Sequence, residues 1–114
     1  MNAKRALSLL SLASRAGKLA SGETACEAAL RAGQAALVVI CADASDNTKK
    51  KFVNKAYYYQ VPVVMTGEKA VLSRAAGKEN RAVFVLTDAP LAHLLREAFG
   101  YISSTGSTGE GPPS

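Results

Sequence analysis

The sequence is poor in the residues that most often carry chemistry, with one histidine and two cysteines among 114 residues. Cys26 and Cys41 form no CxxC pair and no cluster with the histidine, which excludes the common Cys/His zinc patterns. Cys26 falls within a helical pattern and Cys41 ends an apolar run, so both read as reduced, partly buried thiols. His93 stands alone in a helical stretch between Ala92 and Leu94, and no Ser or Cys nucleophile has a base at a recognisable spacing. Gly17-Lys18 and Gly77-Lys78 are not phosphate-binding loops. Leu19 and Glu79 stand where Ser or Thr is required, and no glycine lies five residues before either pair.

Long apolar runs are also missing. The longest, Ala35 to Ala42, falls far short of the ~20 residues that span a bilayer. Near the start of the chain Ser8, Ser11 and Ser14 interrupt the apolar residues, and Arg15 ends them too early for a signal-peptide core. These absences predict a cytoplasmic protein that is not an enzyme, with no cofactor, no metal and no membrane partner.

What is present suits one small core: 48% of the residues are hydrophobic and 20% charged. The 14 Lys and Arg against 9 Asp and Glu give a formal charge of +5, which favours a polyanionic partner. The composition predicts a single domain over residues 1–102. Residues 103–114 are Gly, Ser, Thr and Pro with one acid, too little apolar surface to offset ordering, and read as a disordered tail.

Hydrophobic periodicity places the elements. Asn2 is a candidate cap for a first helix to Arg15, with Ala6, Leu7, Leu10 and Ala13 at helical spacing and Gly17 as the stop. A short extended piece, Lys18–Ser21, leads to Gly22. A second helix from Glu23 to Gly33 then carries Ala25, Ala29 and Leu30 inward. Ala36–Cys41 has the uninterrupted apolar pattern of a strand covered on both faces. Asp43, Ser45 and Asp46 read as turn and cap residues before a third helix. That helix bears Lys49, Lys50, Lys51 and Lys55 outside, with Phe52, Val53, Ala56 and Tyr57 inside. Val61–Met65 follows as a strand and Gly67 opens a helix through Val71, Leu72 and Ala75, ended by Gly77. A strand at Ala82–Leu86 and a last helix from Asp88 and Pro90, with Leu91, Leu94, Leu95 and Phe99, complete the chain. Such alternation calls for an α/β sandwich, a sheet with helices on both faces.

For RNA binding the needed parts are backbone amides at a helix start, cations around them and a second loop to clamp the strand. Gly22-Glu23-Thr24 supplies the first, because glycine admits a phosphate or base edge close to the backbone and Thr24 can hydrogen-bond. The same residues could equally be a plain strand end and helix cap. The run Lys49–Lys51 reads either as a solvated helix face or as a direct contact. Tyr57-Tyr58-Tyr59 suggests base stacking, but consecutive helical residues diverge, and Tyr57 reads as core.

Joined together, these blocks resemble a known family. Gly17-Lys18-Leu19-Ala20-Ser21-Gly22, the Gly33 and Ala36–Ile40 block, Asp43 to Lys50, Tyr58-Tyr59-Gln60-Val61-Pro62, and Lys69 through Gly77-Lys78 to Arg81-Ala82-Val83 are similar to the kink-turn-binding ribosomal protein superfamily of archaeal and eukaryotic large subunits, and within it to a small bacterial ribosomal-protein-like branch. The resemblance covers about residues 4–99. It implies a three-layer α/β/α sandwich with a four-stranded mixed sheet and helices on both faces. It also implies an RNA surface of Lys18, Gly22, Glu23 and Thr24, then Ser45 and Lys49, Lys69, and finally Lys78, Asn80 and Arg81. Where the ribosomal branch carries Asn, Glu and Lys after the glycine, this chain has Thr24, Ala25 and Ala28, and alanine offers no side-chain hydrogen bond to a base edge. The implied partner is a bent or kink-turn-like structured RNA, ribosomal or otherwise, bound by a monomer through backbone shape. The competing expectation is a protein-interaction module of the same fold that has lost specific RNA binding.

Overall fold

The computed structural model describes residues 3–100, so the Asn2 cap and the 103–114 tail lie outside the described residues. In chain order the elements are α1 (Ala3–Arg15), β1 (Leu19–Ser21), α2 (Glu23–Arg31), β2 (Leu37–Ile40), α3 (Asp46–Tyr58), β3 (Val63–Met65), α4 (Lys69–Ala75), β4 (Val83–Leu86) and α5 (Ala89–Ala98). The expected alternation is present. The strands form one mixed sheet in the order β1-β4-β2-β3, with β2 and β3 parallel and β4 antiparallel to both its neighbours.

Every residue of β2 and β4 is buried, as their unbroken apolar runs require. Alternate side chains divide between two cores. Leu37, Val39, Phe84 and Leu86 pack with Ala6, Leu10 and Ala13 of α1, Leu72 of α4 and Leu95 of α5. Val38, Ile40, Val83 and Val85 face the other way, onto Cys26, Ala29 and Leu30 of α2 and Phe52 and Ala56 of α3. The layers are therefore α1, α4 and α5 on one face and α2 and α3 on the other. The register Val39↔Phe84 and Ile40↔Val83 keeps each pair on the same face.

Local chemistry sets most element ends. Ser45 caps α3 by accepting from the Thr48 amide at 3.1 Å, and Asp88 caps α5 by accepting from the Leu91 amide at 3.0 Å. Gly17, Gly33 and Gly77 follow α1, α2 and α4 as expected. Ser14 Oγ donates to the Ala76 carbonyl at 2.7 Å and ties α1 to the end of α4.

Three inward assignments are corrected. Ala25 is exposed, and Cys26 takes its place in the core. Tyr57 is 63% exposed, because the adjacent Ala56 points straight at the sheet. Val71 is 43% exposed, with Leu72 and Ser73 forming the buried side of α4. Both cysteines are buried and free, one in each core, more deeply than partial burial implied. Burial, reinforced by the Glu23 and Glu27 charges, pushes the Cys26 thiol up to about 12; burial, reinforced by Asp43, pushes Cys41 up to about 12. None of the described helices is long and apolar enough to cross a membrane.

Phe84 is fully buried at the centre of the sheet. Phe84→Ala is expected to destabilise the protein by about 3–5 kcal/mol, read as a lower urea midpoint at an unchanged denaturant slope.

Candidate nucleic-acid interface

Because β1, β2 and β3 run the same way and β4 runs against them, one edge of the sheet collects Ser21, Ile40, Met65 and the start of β4 at Val83. Helices α2, α3 and α4 all begin just past that edge. Helix starts present amides and a positive dipole end. Two of the three are closed by side chains: Ser45 caps α3, and the Asp43 carboxylate accepts from the Lys69 amide at 2.9 Å at the start of α4. At α2 the cap residue is Gly22, and no side chain caps the turn.

Gly22 has φ +88° and ψ 160°, a backbone region open essentially to glycine alone. Its amide donates to the Val83 carbonyl at 3.0 Å, which pins the start of α2 to β4. A Cβ here would come within 3.1 Å of Arg81 Nη1, so the guanidinium lies across the glycine. The Arg81 backbone is fixed from below by buried Ser73: its amide donates to Ser73 Oγ at 2.8 Å, and that hydroxyl donates to the Arg81 carbonyl at 3.1 Å. Cys41 Sγ also donates to this carbonyl, at 3.7 Å. Asn80, at φ +53°, makes the left-handed turn that delivers Arg81, and the Lys78 amide donates to the Ser73 carbonyl at 2.8 Å.

A second unit joins α2 to α3 beside this edge. Thr48 Oγ1 donates to Glu23 Oε2 at 2.8 Å, and Lys51 Nζ reaches Glu23 Oε1 at 3.1 Å and Glu27 Oε2 at 2.6 Å. The hydrogen bonds from Thr48 and then Lys51 hold the Glu23 carboxyl below its ordinary range, and Lys51 does the same for Glu27. Hydrogen bonds to Glu27 and then Glu23 raise Lys51. Lys51 is thus committed within the protein, which splits the lysine run into an internal partner and the outward Lys50.

Most of the expected surface comes together. Gly22, Glu23 and Thr24 start α2, Ser45 and Lys49 start α3, Lys69 starts α4, and Arg81 ends the loop that also carries Lys78 and Asn80. Thr24, Ala25 and Ala28 are exposed together on α2. Lys18 is not brought there. Its carbonyl accepts from the Thr87 amide at the opposite end of β1, where Leu19 faces Leu86. Glu23 proves to be a strut as much as a surface group. Sequence reasoning missed Ser73 and Thr48: the Ser45-x-x-Thr48 spacing hinted at a cap, but nothing local marks Ser73 as the anchor of Arg81. Asp43 is a cap, as expected, yet for α4, 26 residues on. His93 pairs with Glu97 one turn along α5, at 3.1 Å, away from these residues. Among the described residues no group of His, Cys, Asp and Glu could hold a metal ion.

Known proteins share this fold. A model of the ribosomal protein L7Ae/L30e/S12e/Gadd45 family matches residues 4–92. RNA-binding protein YlxQ of Bacillus subtilis (strain 168) is 45% identical over 87 residues, 76% of this chain and 87% of its own. RNA-binding protein YlxQ of Enterococcus faecium is 40% identical over 96 residues, 84% of this chain and 92% of its own. Both belong to bacteria, as the resemblance implied, and both are named for binding rather than catalysis. Among solved structures, a protein of unknown function from Bacillus halodurans C superposes with a TM-score of 0.80 at 40% identity, over 84% of this chain and 97% of that one. The Giardia lamblia 15.5kD RNA binding protein superposes with a TM-score of 0.72 over 90% and 88% of the two chains; at 23% identity, that likeness is one of fold.

Gly22→Ala is expected to cost about 1–3 kcal/mol in chemical denaturation. It should cost more than Gly33→Ala, where φ is also positive but a Cβ meets nothing within 4 Å. For the acidic clamp, the lowered carboxyls make its contribution present above the ordinary carboxylate range and lost as pH falls through the lowered values. Lys51→Met should therefore melt below the parent protein at pH 7, and the difference should shrink toward zero below about pH 4. A difference constant with pH would assign the effect to the lysine stem instead.

Proposed function

Since the chain belongs to the ribosomal protein L7Ae/L30e/S12e/Gadd45 family, we propose that it is a small RNA-binding protein that grips a bent, kink-turn-like RNA at the sheet edge around Gly22 and Arg81. The observation that carries this reading is the start of α2, a helix end with no side-chain cap, beside the guanidinium of Arg81, whose backbone Ser73 holds in place. Amides and guanidinium together suit a phosphate: the amides offer short donors and the arginine a planar, permanently charged fork. Lys69 and the Lys78–Arg81 loop supply further cations on the same side, so a strand turning sharply through the edge meets donors along its path.

Selectivity follows from what α2 presents. Thr24 offers one hydroxyl, while Ala25 and Ala28 offer no polar side-chain atoms, so the helix reads backbone shape more than base identity. The proposal is of a cytoplasmic monomer, one domain over residues 1–102, acting on ribosomal RNA or another structured RNA as part of a ribonucleoprotein. It is a binding role without catalysis or cofactor.

Titration of a labelled kink-turn RNA and a straight duplex of equal length at two salt concentrations tests this reading. The kink-turn should bind more tightly at both, and equal affinities remove the shape-specific part. Arg81→Glu with Lys69→Glu should weaken binding at least tenfold at low salt, whereas Lys18→Glu, across the sheet, should change it little. An unchanged affinity of the double variant places the RNA elsewhere.

A further inference from the structure

Helix α3 begins at the candidate edge with Ser45 and Lys49 and runs away from it to Tyr58, just before the chain turns into β3 at the other end of the sheet. At 1.5 Å per residue its span is roughly 18–20 Å. Its inner side is taken by Thr48, Phe52 and Ala56. The outer side presents Asn47, Lys50, Asn54 and Tyr57, three or four residues apart and all exposed, with Tyr58 beside them.

The two tyrosines are 63% and 77% exposed, the most exposed large hydrophobic side chains among the described residues. The core role expected for Tyr57 is closed to both. The ring of Tyr58 is perpendicular to that of Tyr59 at 4.9 Å between centroids, a contact that steadies it. The helix carries four lysines against Asp46 as its single acid. Lys51 is drawn inward by Glu23 and Glu27, so Lys50 is the charge that stands on the stripe leading to the rings.

We infer that this stripe is a second nucleic-acid site, a track on which unpaired nucleotides flanking the folded RNA lie along α3, with Lys50 beside the backbone and bases stacked on Tyr57 and Tyr58. The inference rests on the RNA-binding reading of the edge and extends it to a different substrate form. Positive charge with interleaved aromatic rings is what single strands require, since each base offers a π-face whatever its sequence. The track is continuous with the edge, so a strand leaving the fold near Ser45 enters it directly. At about 3.4 Å per stacked nucleotide its length accommodates about six.

The test uses three versions of one kink-turn RNA: blunt-ended, with an eight-uridine extension on the 5′ end, and with the same extension on the 3′ end. One extended form should bind the whole protein about tenfold more tightly than the blunt form. Tyr57→Ala with Tyr58→Ala should remove that increment and leave blunt-RNA affinity unchanged, while the double Phe variant keeps it. Because the chain has four tyrosines and no tryptophan, intrinsic fluorescence should be quenched by the extended RNA beyond the blunt form. Blunt RNA bound with no gain from either extension overturns the track while leaving the edge intact. A gain that survives in the double Ala variant, folded as judged by circular dichroism, also overturns it. Failure to bind any of the three RNAs overturns both the edge and the track.

Discussion

Strand β4 lies between β1 and β2 and runs against both, so the residue that begins it stands where its neighbours end. That single reversal sets Arg81 beside Gly22 and beside Cys41, from stretches of chain far apart in sequence. It is secured by burial of every β4 side chain, two on each face of the sheet. A slip of one residue would turn Phe84 and Leu86 into the wrong core and carry Arg81 away from the glycine. The candidate surface is therefore as well defined as the core beneath it, although its own side chains are largely exposed.

Charge is arranged around that frame with similar economy. Glu23 occupies the first turn of α2, where a carboxylate suits the helix dipole but would oppose a phosphate. Thr48 and Lys51 draw it toward α3, so the acid fastens two helices and its charge is largely answered there. The lysine consumed in this way is one of three in a row, and its neighbours keep the helix positive. Ser73 plays the corresponding part on the other side of the sheet, satisfying both backbone groups of Arg81 with one hydroxyl.

Much of this was legible in the sequence. The strands β2 and β4 were readable because uninterrupted apolar runs bounded by turns have few other uses. Helix ends were readable from Gly17, Gly33 and Gly77 and from the caps Ser45 and Asp88. The phase of short helices was not. Val71 lies in a helix of only two turns, too short for periodicity to separate it from Leu72, and Tyr57 follows Phe52, Val53 and Ala56 in the helical pattern although Ala56 already fills the inward position. Lys18 was grouped with Gly22 by nearness in sequence, yet a three-residue strand carries the chain from one end of the sheet to the other. Ser73 had no signature because its bonds depend on how the 77–81 loop returns, which is tertiary geometry. The resemblance supplied the joint layout of the edge; the residues alone left Gly22 evenly balanced between cap and contact.

The two thiols have a chemical consequence of their own. Cys26 sits in the core beneath α2 and Cys41 in the core beneath α1, with the sheet between them. Each is held as the neutral thiol, since burial opposes the thiolate that oxidants and electrophiles require. No cross-link can form between them while the sheet is intact. Reaction at either sulfur therefore waits on opening of the core around it, and alkylation becomes a clock for how often the sheet opens.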